Sequence, residues 1–256
     1  MSNDFFVGYL PAASETGRRA KGVAIGIVVA GGAVAALLAI TTGPFDRAAF
    51  EYATVRDWQG TIEGSPVPAL VVRRVENDSP FGALERFLLV APWKHGASEL
   101  VEGFAGAAVT LRGKRIVRGA TTMIEIEPGS IARWAPVLPE DGSPLPASRV
   151  EDLGHVKMHG EIVDSKCFLG VMNPGRLEVH RACAIRCISG GIPPMLFARD
   201  ERGREAHVLL VGADGRPVNE RVLDLVARPV TVTGRLERRD GLDYLYLDAW
   251  IPSAGE

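Results

Sequence analysis

The chain has three cysteines, and all of them fall between Asp164 and Pro194. Cys167 closes the run Asp164-Ser165-Lys166-Cys167. Cys183 and Cys187 follow His180 in His180-Arg181-Ala182-Cys183-Ala184-Ile185-Arg186-Cys187. His180, Cys183 and Cys187 stand at i, i+3 and i+7, which puts three side chains on one face of a helix. Gly190-Gly191 and then Pro193-Pro194 supply the stop. Three thiols and one imidazole are the donor set of a tetrahedral three-cysteine, one-histidine metal site, with Cys167 closing it from outside the helix. Soft donors of this kind select Zn²⁺, Cu(I) or an iron–sulfur cluster over hard cations. Zinc is the first expectation. Four protein ligands leave it no open position, so its role would be structural. Two other readings fit the same residues: a disulfide from Cys167 to Cys183 or Cys187, with His180 on the surface, or three unconnected thiols. The absence of Cys-x-x-Cys-His argues against a c-type haem.

Neighbouring residues bear on that site. Asp164 is either an acceptor behind a ligand N–H or a turn residue. Lys166, Arg181 and Arg186 are expected near the thiols, where they would favour thiolate. His155 and His159 read as surface residues, and Met172 and Met195 as packing. His95, in Trp93-Lys94-His95-Gly96, is a loop residue with no assigned partner.

The elements that must hold the cluster come from a repeat. Trp58-Gln59-Gly60-Thr61-Ile62 aligns with Met158-His159-Gly160-Glu161-Ile162, and Ser65 with Ser165. Val109–Gly113 aligns with Val230–Gly234, and Met123–Ile126 with Tyr244–Leu247. By subtraction the offset is 100 at first and 121 later, so the second copy holds a 21-residue insertion that contains the His180–Cys187 segment. The first copy has Val67 where the second has Cys167.

Each copy reads as five short strands, with a helical stretch between the third and fourth. The strands are near residues 60–62, 70–75, 87–90, 108–113 and 123–127, then 156–164, 195–198, 207–211, 230–236 and 244–250. Alternation in Val230-Thr231-Val232-Thr233 and the turn signal Asp240-Gly241 support this. The pattern is that of a small closed barrel of the OB type, which leaves no exposed sheet edge. The expected fold is therefore mainly β: a first OB-like barrel over 54–134 and a second over 150–252 with the Cys/His insertion. A stiff linker over 135–149 carries Pro136, Pro139, Pro144 and Pro146.

Residues 22–42 carry no charge and are long enough to span a bilayer as a helix. Arg18, Arg19 and Lys21 precede them, so residues 1–21 are expected in the cytoplasm and the barrels outside. The apolar run is long for a cleaved signal peptide and lacks a clear Ala-x-Ala site, which favours a retained single-pass anchor. Gly22, Gly26 and Ala30 recur every four residues, a spacing that lets a partner helix approach closely. Ahead of them, Phe5-Phe6-Val7-Gly8-Tyr9-Leu10-Pro11 reads as an interfacial hook.

The formal net charge of −2 over 256 residues offers no basis for nucleic-acid binding. No phosphate-binding loop, dinucleotide fingerprint or nucleophile elbow occurs. The second copy resembles small bacterial cell-envelope domains that share Gly-x-Ile-x-Asp-Ser-x-Cys, His-x-x-Cys-x-x-x-Cys and a final Val-x-Val-x-Gly. Here these are Gly160, Ile162, Asp164, Ser165, Cys167, His180, Cys183, Cys187, Val230, Val232 and Gly234. The resemblance implies that the cluster acts as one unit, and it carries no activity with it. The expectation is a non-catalytic accessory subunit in the bacterial inner membrane, with periplasmic barrels, docked on a larger respiratory or other redox complex. The alternative is an electron-transfer protein using an iron–sulfur centre or a thiol–disulfide couple at the same cysteines.

Overall fold

The computed structural model describes residues 14–41, 48–73, 84–135, 148–199, 202 and 204–252. The expected Phe5–Pro11 hook and most of the Pro-rich linker lie outside these residues. The chain divides into two units, Met1–Asp46 and Arg47–Glu256.

In the first unit a helix, α1, runs over Ser14–Thr41. It starts ahead of the uncharged stretch. Glu15 favours an N-terminal turn and pairs with Arg19 at i+4, 2.7 Å away. Arg18, Arg19 and Lys21 therefore ride on the helix itself. From Ser14 to Ile40 the helix is long and apolar enough to cross a membrane. Nothing lies within 4 Å of a Cβ built on Gly22 or Gly26.

In the second unit the first barrel consists of β1 (Ala48–Glu63), β2 (Ala69–Arg73), β3 (Leu84–Val90), β4 (Ala108–Arg118) and β5 (Thr121–Ile126). The order is β1-β2-β3-β5-β4, and β4 closes on β1. A short helix, α2 (Ser98–Val101), joins β3 to β4, and β6 (Ala132–Arg133) adds to the outside of β4. The second barrel repeats this with β7 (Val150–Asp164), β8 (Pro194–Arg199), β9 (Glu205–Gly212), α4 (Asn219–Val222), β10 (Pro229–Arg239) and β11 (Leu242–Pro252). Its closed order is β7-β8-β9-β11-β10. In each barrel the third and fifth strands are parallel and every other pair is antiparallel. The chain is thus an N-terminal apolar helix followed by two closed five-stranded, OB-like barrels.

The two copies match strand for strand. Gly60 lies opposite Val109 and Gly160 opposite Val230; Leu88 lies opposite Met123 and Leu209 opposite Tyr244. The shared glycines have a steric cause. A Cβ on Gly60 would sit 2.5 Å from the Val71 carbonyl oxygen, and one on Gly160 2.2 Å from that of Phe197. The strands coil so tightly on closing that any side chain there would strike the neighbouring backbone. The register also resolves the length difference. Glu63 faces Ala69, whereas Val163 faces Met195, so 26 residues are inserted after the first strand of the second copy. The next hairpin is five residues shorter, running from Arg199 to Glu205 where the first copy runs from Arg73 to Leu84.

The barrels share a core. Leu89, Ile124 and Ile126 point into the first barrel, and Val208, Leu210, Leu245 and Leu247 into the second. The alternate residues of the same strands form a third cluster between the barrels: Leu88, Val90 and Met123 against Leu209, Val211, Tyr244 and Tyr246. Equivalent faces therefore meet, as in an isologous dimer. Phe168 and Leu169 from the insertion fill the same seam.

Buried polar contacts fix the seam's register. Arg86 reaches Asp240 at 3.0 Å and Ser148 at 2.9 Å, and also pairs with Glu63. Arg118 donates to the Phe168 carbonyl at 2.7 Å, with its guanidinium 4.1 Å from the Phe168 ring centroid. Lys166 crosses from the second barrel to Glu125 at 2.6 Å, and donates to the carbonyls of Ala91 and Trp93 at 2.9 and 2.7 Å. Its side chain is 3% exposed, so truncation leaves a carboxylate and two carbonyls without their donor. Lys166→Met should destabilise the two-barrel unit by about 3–5 kcal/mol. The check is a lowered urea midpoint at unchanged slope.

Candidate metal centre

The insertion is organised by Asp164, the last residue of β7. Its Oδ1 accepts from the Cys167 backbone N–H at 2.8 Å and so caps the irregular helical turn Cys167–Val171. Its Oδ2 lies 3.0 Å from His180 Nε2, and both side chains are buried. A carboxylate accepts, so the imidazole faces Asp164 with Nε2 as the donor. One oxygen of Asp164 thus serves the turn at Cys167, and the other meets the candidate ligand His180.

His180 ends a short turn over Glu178–His180, and α3 (Arg181–Ser189) follows it. Ala184, Cys187 and Ile188 form the buried face of α3. The helix stops at Gly190-Gly191, with Gly191 at φ 93°. Asn219, at the start of α4, donates to the carbonyls of Ile188 at 2.7 Å and Ile192 at 2.9 Å, which ties the end of α3 to α4.

The donor atoms of Cys167, His180 and Cys183 lie within 4.8 Å of one another, as do those of Asp164, Cys167 and Cys187. Three of the four expected ligands, Cys167, His180 and Cys183, thus form one group, while Cys187 falls in a second group with Cys167 and Asp164. Donors about 2.0–2.3 Å from one ion sit no more than about 4.6 Å apart, so the Cys167, His180 and Cys183 group is spaced much as a bound soft metal ion would need. No disulfide joins the three cysteines, of which Cys167 and Cys187 are buried and Cys183 is partly exposed.

The first barrel also contributes to the cluster. Lys94, in the loop after β3, places Nζ 2.7 Å from Cys183 Sγ and 3.8 Å from Cys187 Sγ. The loop is held by backbone contact: Gly96 N–H donates to the Gly190 carbonyl at 2.9 Å. A Cβ on Gly190 would lie 1.9 Å from the Lys94 carbonyl oxygen. The hydrogen bond to Cys183 raises the pKa of Lys94, against the opposing effect of burial. A hydrogen bond from Cys167 lowers the pKa of Cys187, helped by the Lys94 charge and opposed by burial and by Asp164. Cys167, the donor of that bond, is pushed up by it and by burial.

Two of the three cations expected beside the thiols make other contacts. Lys166 points away from the thiols to Glu125, since the turn that presents Cys167 turns its neighbour into the seam. Arg181 donates to the Val226 carbonyl at 3.1 Å. Lys94 was missed because it stands 89 positions from Cys183, in the copy that has no cysteine, and no local spacing signals it. His155 pairs with Asp248, and His159 with Thr231 at 2.8 Å, both on exposed surface. Met195 packs in the seam and Met172 is exposed. A cavity of about 950 Å³ beside β1 and β2, lined by Gln59, Thr61, Arg86 and Trp134 among others, shares no residue with the cluster.

No protein-family model and no curated protein matches the chain. Among solved structures, a deletion mutant of the single-stranded DNA binding protein from Thermus aquaticus is similar at 11% identity and a TM-score of 0.24, covering 83% of this chain and 91% of that one.

Asp164→Asn keeps the acceptor for Cys167 N–H but presents an amide in place of the carboxylate at His180. It should weaken metal affinity about 10–100-fold, measured by competition with a chromophoric chelator.

Proposed function

We propose that this protein is a membrane-anchored, extracytoplasmic accessory subunit of a larger membrane complex, of respiratory or other redox type. In this reading a zinc ion held by Cys167, His180, Cys183 and Cys187 staples its inserted loop. The observation that carries it is the grouping of Cys167, His180 and Cys183, with Cys187 beside Cys167 and Asp164 backing the imidazole, in and beside a segment of 26 inserted residues. An insertion that long orders itself poorly by burial alone, and metal binding contributes directly to its folding. Three thiolates around Zn²⁺ leave one negative charge, which Lys94 is placed to offset. Basic residues at the start of α1 favour a cytoplasmic N-terminus and barrels beyond the lipid. The open Gly22/Gly26/Ala30 face suits a partner helix in the bilayer. No nucleic-acid partner is proposed.

The second reading, an electron carrier using an iron–sulfur centre or a thiol–disulfide couple, is favoured by the three unbonded thiols, of which Cys183 is partly exposed.

Protein purified in mild detergent should be colourless and carry one zinc per chain, and Cys183→Ser should lose most of it. A brown sample with visible charge-transfer bands would replace this reading with the second. Gly26→Leu should reduce co-purification of a membrane partner several-fold without changing the zinc content. Full recovery of the partner would remove the helix-docking part of the proposal.

A further inference from the structure

The contact between Lys94 and Cys183 has a chemistry of its own that needs no metal. Their Nζ and Sγ are 2.7 Å apart. An N–H···O hydrogen bond is already about 2.9–3.0 Å long, and sulfur is larger than oxygen, so this pair is closer than a hydrogen bond to sulfur requires. It is also too long for a direct nitrogen–sulfur bond. The separation suits two atoms joined through a single oxygen.

Two further observations make the pair accessible and constrained. Cys183 is partly exposed, so a small oxidant can reach its sulfur, whereas Cys167 and Cys187 are buried. Neither main chain can retreat easily, because Gly96 is bonded to Gly190 at 2.9 Å and the Lys94 carbonyl is packed against Gly190.

We propose that Lys94 and Cys183 are the partners of an oxidative N–O–S cross-link that ties the first barrel to the insertion of the second. The oxidant is a peroxide. One peroxide oxidises the Cys183 thiol to the sulfenic acid and leaves as water. The sulfenic oxygen then bonds to Nζ of Lys94 in its amine form. A second peroxide accepts two electrons together with the sulfenic O–H proton and one N–H proton, and leaves as two waters. Overall the S–H bond and one N–H bond break, S–O and O–N bonds form, and nitrogen and sulfur are each oxidised by two electrons. A thiol-containing reductant reverses the step. The inference stands apart from the zinc reading, since it concerns the metal-free thiols.

The test uses full-length protein in mild detergent, stripped with a chelator, treated with hydrogen peroxide and mapped without reductant. The expected product gains one oxygen and loses two hydrogens. It yields a peptide pair joined through Lys94 and Cys183, and dithiothreitol restores the starting mass. Cys187→Ser should keep this product, and Lys94→Arg should abolish it while Cys183 still forms a trappable sulfenic acid. A chain that only loses two hydrogens, as a disulfide does, would overturn the proposal. So would oxygen gained at Cys183 with the Lys94 peptide free. Metal content of the untreated chain is read separately, so loss of the zinc reading and loss of this one are distinguishable.

Discussion

Strands β3, β5, β9 and β11 are buried on both sides, one side filling a barrel and the other filling the seam between barrels. This double burial governs the second unit. A barrel that lost its neighbour would expose Leu88, Val90 and Met123, or Leu209, Val211, Tyr244 and Tyr246, to water. Because equivalent faces meet, the loop after β3 arrives beside the insertion of the other copy. The seam therefore carries Lys94 to the thiols, and Lys166 to Glu125 in the opposite direction.

Within the insertion a single carboxylate sets the local order. Asp164 is fully buried, and its two oxygens hold the Cys167 turn and the His180 imidazole. Burial makes such an arrangement all-or-none, since an unpaired carboxylate there would be costly and a satisfied one rigidifies its partners. The same carboxylate opposes ionisation of Cys167 and Cys187, while Lys94 acts the other way on Cys187. The cluster is thus tuned by one negative group from its own barrel and one positive group from the other.

The copies divide their tasks. The first supplies Val67 where the second supplies Cys167, and it contributes a wall of the seam and the Lys94 loop. The second carries all the candidate ligands. Neither is merely a spacer, since the cluster is completed only where they touch.

The sequence by itself determined a good deal. The i, i+3, i+7 spacing of His180, Cys183 and Cys187, the glycine stop and the matched Gly60 and Gly160 are local patterns, and local patterns report local periodicity and sterics. The five-strand order of each barrel was legible for the same reason, as was the uncharged helix. The start of β1 at Ala48, ahead of the expected boundary at residue 54, was not, because residues 48–57 are held in strand by pairing with β4 far along the chain. Only the tertiary structure decided which cation meets the thiols. Lys94 and Lys166 are both lysines beside apolar runs, and which one reaches Cys183 depends on how two barrels, each complete in its own hydrogen bonding, bury their remaining apolar faces against one another.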